Sequence, residues 1–250
     1  KHLSENIDLI DVTDDYCVLG LFGPKSRELM SNISDDDFSN DKFKFGTSKK
    51  IKIDEINIWV QRLSYVGELG FELYVKMSDA NTLYELLIKN GKNYDISNCG
   101  MHAMDIMRME SGFLHWGHDI SPEENQYEAG LDFAISYKKD SDFIGKEALL
   151  KIKEQKLKKK FVMLSLKESA PGEPLLLHDE PIYLEEKIVG RTTSGNYSFN
   201  YNKNLSFGYI NANVSNSDLQ DKNLFIEVAK IKYPADLEIS PLKSKKNRLV

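Results

Sequence analysis

Two acidic residues lie in and just after a glycine-bracketed turn, in the segment YVGELGFE that runs from Tyr65 to Glu72. If an alternating strand follows the turn, Glu72 shares a face with Tyr74, and its carboxylate either faces water or lines a cavity. An ionised carboxylate can accept two hydrogen bonds at once from a ring that presents an amino group beside an N–H. On surface statistics alone, a solvent-facing strand carboxylate is the simpler interpretation. For Glu68, within the turn, we favour pairing with a nearby Lys or Arg.

A second polar cluster, His115, Trp116, His118 and Asp119, lies in a segment punctuated by Gly and Pro. A His-x-x-His pair beside a carboxylate suggests a metal, but zinc normally takes three or four ligands from protein, and the remaining ligands are not identified. We therefore predict no metal site. The favoured alternative is a loop that lines a ligand pocket or packs two domains together, with Trp116 as its apolar anchor.

The composition narrows the class of protein. The 250 residues include 33 Lys and Arg against 39 Asp and Glu, a formal net charge of −6. Nucleic-acid binding normally needs a clustered excess of basic residues, so we predict no nucleic-acid partner. Cys17 and Cys99 lie far apart, which favours a reducing compartment. No apolar run approaches a membrane span and no signal-peptide core is present, so we predict no membrane association and a cytoplasmic, or matrix-like, location.

The elements that would position these residues change in character along the chain. Up to residue 157, strands and helices mix without a strict β-α-β-α alternation, which is typical of an α+β domain. Past Lys160, short apolar strands separated by turn residues indicate a small antiparallel barrel or sandwich. We place the boundary before Phe161, which gives domains 1–157 and 158–250. The first residue is Lys rather than Met, which suggests a chain cut out of something longer.

Individual segments carry further expectations. The run YCVLGLFGP, 16–24, predicts a buried strand that ends in a turn. The helix at 79–90 is expected to stop at a left-handed Gly91. A stripe of Met101, Met104 and Met107 at helical spacing is more typical of a core than of a cofactor site. The segment FAISYK, 133–138, is expected to be a strand.

Three ordered segments carry a resemblance to a known family: RLSYVGELGFELYV (62–75), HAMDIMRMESGFLHWGHDISPEENQYEAGL (102–131) and DFIGKEAL (142–149). Together they resemble the glycine-cleavage T-protein, or aminomethyltransferase, family, and the HWGHD variant is most similar to its sarcosine and dimethylglycine dehydrogenase branch. The segments IVGRTTSG and SFGYIN resemble the family's C-terminal barrel. The resemblance covers nearly the whole chain. It implies an α+β fold, with a mixed sheet-and-helix folate-binding domain truncated at its N-terminus and a small antiparallel β-barrel domain after it.

The resemblance also implies tetrahydrofolate as the cofactor. Glu72 would accept hydrogen bonds from the amino and N–H groups of the pterin ring, Tyr65 would be an aromatic contact, and Trp116 a further cofactor-binding residue. Met104 stands where T-proteins carry a folate-contacting Arg, so that contact is not carried over. The family's catalytic Asp lies upstream of the matched region, so no catalytic residue is nominated. We expect the chain alone to bind folate weakly or not at all and to show no turnover.

The implied function is transfer of a one-carbon unit from an N-methyl amine or an aminomethyl carrier to tetrahydrofolate, within a longer sarcosine or dimethylglycine dehydrogenase-like enzyme. Because no GxGxxG fingerprint occurs, amine oxidation would need an FAD oxidoreductase domain, and the T-protein version would need a lipoyl carrier protein. Two alternatives stay open. One is a non-catalytic folate-binding or regulatory module, similar to the regulatory subunit of pyruvate dehydrogenase phosphatase or to iron-sulfur assembly proteins. The other is a folate-dependent sulfonium demethylase.

Overall fold

The computed structural model describes residues 7–244, which fall into two compact units, residues 7–99 and residues 100–244. The α-helices are α1 Ser26–Ile33, α2 Ala80–Gly91, α3 Met101–Glu110, α4 Lys146–Lys153 and α5 Asn216–Asp221. The strands are β1 Tyr16–Phe22, β2 Ser48–Ile53, β3 Ile56–Gln61, β4 Gly70–Lys76, β5 Lys159–Leu166, β6 Pro181–Leu184, β7 Lys187–Ser198, β8 Lys203–Asn211, β9 Leu224–Val228 and β10 Ile231–Glu238. Within the described part of the chain, no helix is both long enough and apolar enough to cross a membrane.

The first unit is built on a four-stranded antiparallel sheet in the order β1-β4-β3-β2. Apolar residues alternate with polar ones along β2, β3 and β4, so one face of the sheet is buried against α1 and α2. The loop between α1 and β2 adds two buried rings, Phe38 and Phe43, which pack on Phe71 at centroid distances of 5.4 and 5.8 Å. This face forms the hydrophobic core that fixes β4.

The opposite face of the same sheet is exposed. Tyr16 and Val18 on β1 are 39% and 49% exposed, and Trp59 on β3 is 44% exposed. The prediction of a buried first strand is therefore wrong. Among the described residues β1 is an edge strand paired only with β4, and half of its apolar run lies on the uncovered face.

The sequence predicted that helix α2 ends at a left-handed Gly91, and this prediction is wrong. Gly91 keeps a φ of −71°, a 3-10 turn follows over Lys92–Tyr94, and the left-handed residue is Asp95, with a φ of 58°. A Cβ on Gly91 would lie 2.6 Å from the side chain of Ile96. Glycine is therefore needed here for close packing rather than for its conformational freedom.

The second unit contains a closed antiparallel barrel in the order β10-β5-β8-β7-β6-β9. This confirms the predicted fold class of an α+β region followed by an antiparallel barrel. Strands β7 and β8 approach closely at Gly190, where a Cβ would lie 2.0 Å from the carbonyl oxygen of Tyr209. The hydrophobic core of this unit includes the buried residues Val162, Leu164, Leu166, Leu176, Ile182, Val189, Ile210, Leu219, Leu224, Ile226 and Ala235.

Helix α3 packs on β8 through Ile106 and Met109, which are one helical turn apart. The expected core stripe of Met101, Met104 and Met107 is wrong, because Met101 is 69% exposed and Met109 is the only methionine of this helix that is fully buried. The stripe lies on the neighbouring face of the helix. Helical spacing alone does not show which of two methionine-bearing faces is covered.

The segment that joins α3 to the barrel contains little regular structure. The predicted strand FAISYK, 133–138, is wrong, because its first residues belong to a 3-10 helix at Asp132–Ala134 and Phe133 is 83% exposed. Strand β5 begins at Lys159, beside the predicted boundary at 157/158, whereas the compact second unit already begins at Gly100. The division into domains 1–157 and 158–250 remains a prediction.

Candidate functional site

Strand β4 presents the predicted carboxylate on the exposed face of the first unit's sheet. Glu72 is half-buried, and its cross-strand neighbours are Gly20 on β1 and Gln61 on β3. The Tyr74 hydroxyl donates a hydrogen bond of 2.9 Å to Glu72 Oε2. No other described residue donates to Glu72, so Oε1 keeps its full capacity to accept hydrogen bonds.

An aromatic pair stands beside this carboxylate. Trp59 is opposite Tyr74 in the β3–β4 register, and their ring centroids are 5.4 Å apart. Burial and the adjacent Glu72 carboxylate raise the pKa of the Tyr74 hydroxyl, so this group stays protonated and can donate a hydrogen bond at neutral pH. The sequence indicated that Tyr74 and Glu72 share a face, but it did not reveal their hydrogen bond or the approach of Trp59. Only the cross-strand register brings these side chains together.

Tyr65 is half-buried in the loop between β3 and β4. The hydroxyl of its neighbour Ser64 is buried and has no hydrogen-bond partner within the described part of the chain. Buried hydroxyls in native proteins are normally partnered, so this loop has hydrogen-bonding capacity to spare. Gly67 has a left-handed φ of 73° in the glycine-bracketed turn that the sequence pattern indicated. Glu68 is half-buried in that turn, and its pairing with a Lys or Arg stays a prediction.

In the second unit, the loop that carries the HWGHD residues is fixed by Asp119. Its side chain is fully buried and forms an ion pair with Arg108 of α3, which is equally buried. The carboxylate also accepts hydrogen bonds from Thr193 Oγ1 at 2.6 Å and Ser194 Oγ at 2.8 Å, both on β7. The backbone N–H of His115 donates a fourth, at 2.9 Å. Asp119 thereby joins the loop, the helix and the barrel wall.

Two further side chains of α3 join the helix to β7 and the turn after it. Arg108 Nη2 donates to Ser194 Oγ at 2.7 Å. Glu110 is 1% exposed and accepts from Ser198 Oγ at 2.6 Å and from Asn200 Nδ2 at 3.0 Å. These hydrogen bonds tie α3 to β7 and to the turn after it within the second unit.

Trp116 does not anchor its loop, so that expectation is wrong. Its side chain is 66% exposed, and the buried anchor is Asp119. The rings of His115 and His118 lie 4.5 Å apart at the same loop. Among residues 7–244, no group of three or more His, Cys, Asp or Glu side chains is arranged to hold a metal ion. A cofactor-binding role for the exposed Trp116 ring stays a prediction.

Two surface cavities lie elsewhere in the molecule. One, of about 530 Å³, is lined in the first unit by residues that include Ser31, Asp54 and Lys89. The other, of about 510 Å³, is formed in the second unit by residues 168–170, residues 172–174 and Tyr233. Neither is lined by Tyr65, Glu72 or Trp116. The candidate site is therefore defined by the Glu72 carboxylate and its neighbours on the sheet.

Two family models match the chain in sequence order. The GCVT N-terminal domain matches residues 1–139, and the glycine cleavage T-protein C-terminal barrel domain matches residues 159–242. The chain belongs to the glycine cleavage T-protein family. This confirms the resemblance seen in the three ordered motifs.

Relatives of this T-protein family chain include both dehydrogenases and aminomethyltransferases. The mitochondrial dimethylglycine dehydrogenase of Rattus norvegicus is 36% identical over 237 residues, which is 95% of this chain and 27% of that protein. The mitochondrial sarcosine dehydrogenase of Mus musculus is 32% identical over 81% of this chain and 22% of its own length. The aminomethyltransferase of Listeria welshimeri is 34% identical over 84% of this chain and 56% of its own length. The chain thus spans about a quarter of the dehydrogenases and just over half of the aminomethyltransferase.

The family fold is also seen in a solved structure. The glycine cleavage system aminomethyltransferase T from Bartonella henselae superposes with a TM-score of 0.76 and 21% sequence identity. The match covers 91% of this chain and 59% of that one. At this identity the comparison supports the fold alone.

Proposed function

We propose that this T-protein family chain binds tetrahydrofolate through Glu72 and takes part in transferring a one-carbon unit to it from an N-methyl amine or an aminomethyl carrier. The observation that carries the proposal is the state of the Glu72 carboxylate, which is half-buried, hydrogen-bonded by Tyr74 at one oxygen and available at the other. A carboxylate in this state can accept a pair of N–H groups from one edge of a pterin ring. The spare capacity of the Ser64 hydroxyl, beside Tyr65, fits a ligand rich in polar groups.

When bound, tetrahydrofolate supplies the nitrogen that takes up the one-carbon unit. The residues of this chain hold and orient the ring, Glu72 by its paired hydrogen bonds and Tyr65 by an aromatic contact. Neither side chain needs to exchange a proton in this role. Their contribution is proximity, which can lower a barrier by several kcal/mol when the reacting groups are well placed. The role of Trp116 as a further folate contact rests on the family resemblance.

The larger assembly is also a proposal, because the chain spans only part of its relatives. We propose that it works beside an FAD oxidoreductase domain or a lipoyl carrier protein. The names of the dehydrogenase relatives place those proteins in mitochondria, whereas the aminomethyltransferase relative is bacterial, and we propose a cytoplasmic, or matrix-like, location for this chain. The proposed division at 157/158 is supported by the barrel family model, which begins at residue 159.

Titration of the 250-residue chain with tetrahydrofolate, followed by saturation-transfer NMR because weak binding is expected, tests the proposal. Wild type should bind saturably. Glu72→Ala should weaken binding by about 1.5–3 kcal/mol, roughly 10- to 150-fold, because a charge-assisted contact is lost. The control is Glu55→Ala in the β2–β3 turn, where the carboxylate is 94% exposed and pairs with Lys52. Absence of saturable binding, or equal affinities for Glu72→Ala and wild type, would overturn the proposal.

A further inference from the structure

We propose that Tyr74 is a positioning residue for the folate-binding carboxylate, and that its hydroxyl fixes Glu72 before the ligand arrives. This inference rests on the proposed function. Neither the motif nor the comparisons assign a role to Tyr74. The Tyr74 hydroxyl donates a 2.9 Å hydrogen bond to Glu72 Oε2.

A glutamate side chain has three rotatable bonds and loses much rotamer freedom when a ligand fixes it. The hydrogen bond from Tyr74 already restricts that freedom in the free protein. Preorganisation of this kind increases affinity because part of the ordering cost does not fall on the binding step. It also leaves Oε1 available for a donor from the ligand.

The Tyr74 ring is itself held in place. Strand β4 lies between β1 and β3, so its backbone is hydrogen-bonded on both sides. Trp59 contacts the Tyr74 ring from β3 with a tilt of 39°, and Val18 is its cross-strand neighbour on β1. A side chain locked by its neighbours on a central strand can hold a site more precisely than one on a loop.

No cation lies directly across from Glu72 to take over this task. Its cross-strand neighbours Gly20 and Gln61 are uncharged. The next charged residue along β4 on this face is Lys76, two positions beyond Tyr74. Since burial and the Glu72 carboxylate raise the pKa of Tyr74, its hydroxyl remains protonated as the donor at neutral pH.

A double-mutant cycle on tetrahydrofolate affinity tests the inference in the 250-residue chain. Tyr74→Phe keeps the ring against Trp59 and removes only the hydroxyl. Tyr74→Phe should weaken tetrahydrofolate binding about three- to tenfold. The effect is smaller than for complete loss of a hydrogen bond to a charged group, because a water molecule can partly replace the missing hydroxyl. In a Glu72→Gln background the same change should have an effect below about twofold, because the charged partner is gone. Tyr16→Phe is the matched control, since Tyr16 lies on the same face and is 39% exposed.

The outcomes separate this inference from the proposed function. If Glu72→Gln binds as well as wild type, the proposed function fails. If Glu72→Gln weakens binding but Tyr74→Phe does not, only the positioning role fails. The same conclusion holds if Tyr74→Phe is equally harmful in both backgrounds, because a hydroxyl that acts independently of the Glu72 charge would behave in that way. The unfolding midpoint of Tyr74→Phe, measured beside that of Tyr16→Phe, checks that the sheet is intact.

Discussion

Replacement of Asp119 by Asn should destabilise the second unit by about 3 kcal/mol, the lower end of the range for breaking a buried ion pair. Asn keeps the size of the side chain but removes the charge that compensates the buried Arg108. Its NH2 group must also face donors, because Asp119 is surrounded by the hydroxyls of Thr193 and Ser194 and a backbone N–H. Arg108 keeps a second partner, Asp105, whose carboxylate lies 2.8 Å away and whose side chain is 30% exposed. Because this ion pair remains, we expect the loss of stability to be at the lower end of that range.

Urea unfolding followed by circular dichroism measures this effect. With an m-value of about 2 kcal/mol/M, a loss of about 3 kcal/mol lowers the midpoint by about 1.5 M. Asp142→Asn is the matched control, because that carboxylate is 81% exposed and lies 3.4 Å from Lys146 in an i,i+4 pair. The control should change stability by less than about 0.5 kcal/mol. A midpoint for Asp119→Asn as close to wild type as that of the control would refute the assignment of Asp119 as the anchor.

Three further changes test other parts of the second unit. Burial raises the pKa of Glu124, but hydrogen bonds from Lys159 and Ser121 outweigh this effect, so the pKa in the folded protein is lower than its ordinary value of 4.5. The ionised carboxylate therefore stabilises the fold above pH 4.5. That stabilisation is lost as the pH falls through the folded-state pKa. Glu124→Gln should lower stability at pH 7 and flatten the decline toward pH 3 in urea titrations; an unchanged decline contradicts the pairing. Tyr209→Phe should leave stability unchanged or raise it by up to about 1 kcal/mol, because the buried Tyr209 hydroxyl has no partner within the described residues; a loss above about 1 kcal/mol in urea unfolding would show that the hydroxyl is satisfied. Gly190→Ala should lower the free energy of unfolding by at least about 2 kcal/mol, because the new Cβ would meet the backbone of β8. Gly100→Ala is the control, and it should change that free energy by less than about 0.5 kcal/mol, because no atom lies within 4 Å of its Cβ. Equal melting temperatures for the two variants would contradict the close spacing of β7 and β8.

The parts of the fold that the sequence predicted are those set by local periodicity. Alternation of apolar and polar residues predicted strand β4, and with it the face on which Glu72 lies. Short strands between turn residues predicted a small antiparallel barrel or sandwich, and the barrel was implied by the family resemblance. The prediction of a buried strand from the apolar run of β1 was wrong, because composition does not show whether one face of a strand or both will be covered. The methionine stripe of α3 misled for the same reason.

The contacts that define the two polar clusters could not be predicted, because they join distant parts of the chain. Thr193 and Ser194 lie 74 and 75 residues from Asp119 in sequence. The position of Trp116 between two histidines led to its prediction as the loop anchor. The buried side chain of that loop is instead the carboxylate of Asp119. In the first unit, Trp59 reaches Tyr74 only through strand pairing. The Glu72 carboxylate was identified from its motif, whereas its neighbours could be identified only from the strand register.

The two carboxylates that the motifs single out differ in how far their hydrogen-bonding capacity is used. An ionised carboxylate has about four acceptor sites. Asp119 receives donors from Arg108, Thr193, Ser194 and the backbone of His115, so no site is left for a ligand, and full burial is tolerable because the charge is compensated. Glu72 has a single donor among residues 7–244 and is only half-buried, so water can satisfy its remaining sites until a ligand with paired donors replaces it. Occupancy of acceptor sites therefore separates a structural carboxylate from one that can bind, although both lie within family motifs.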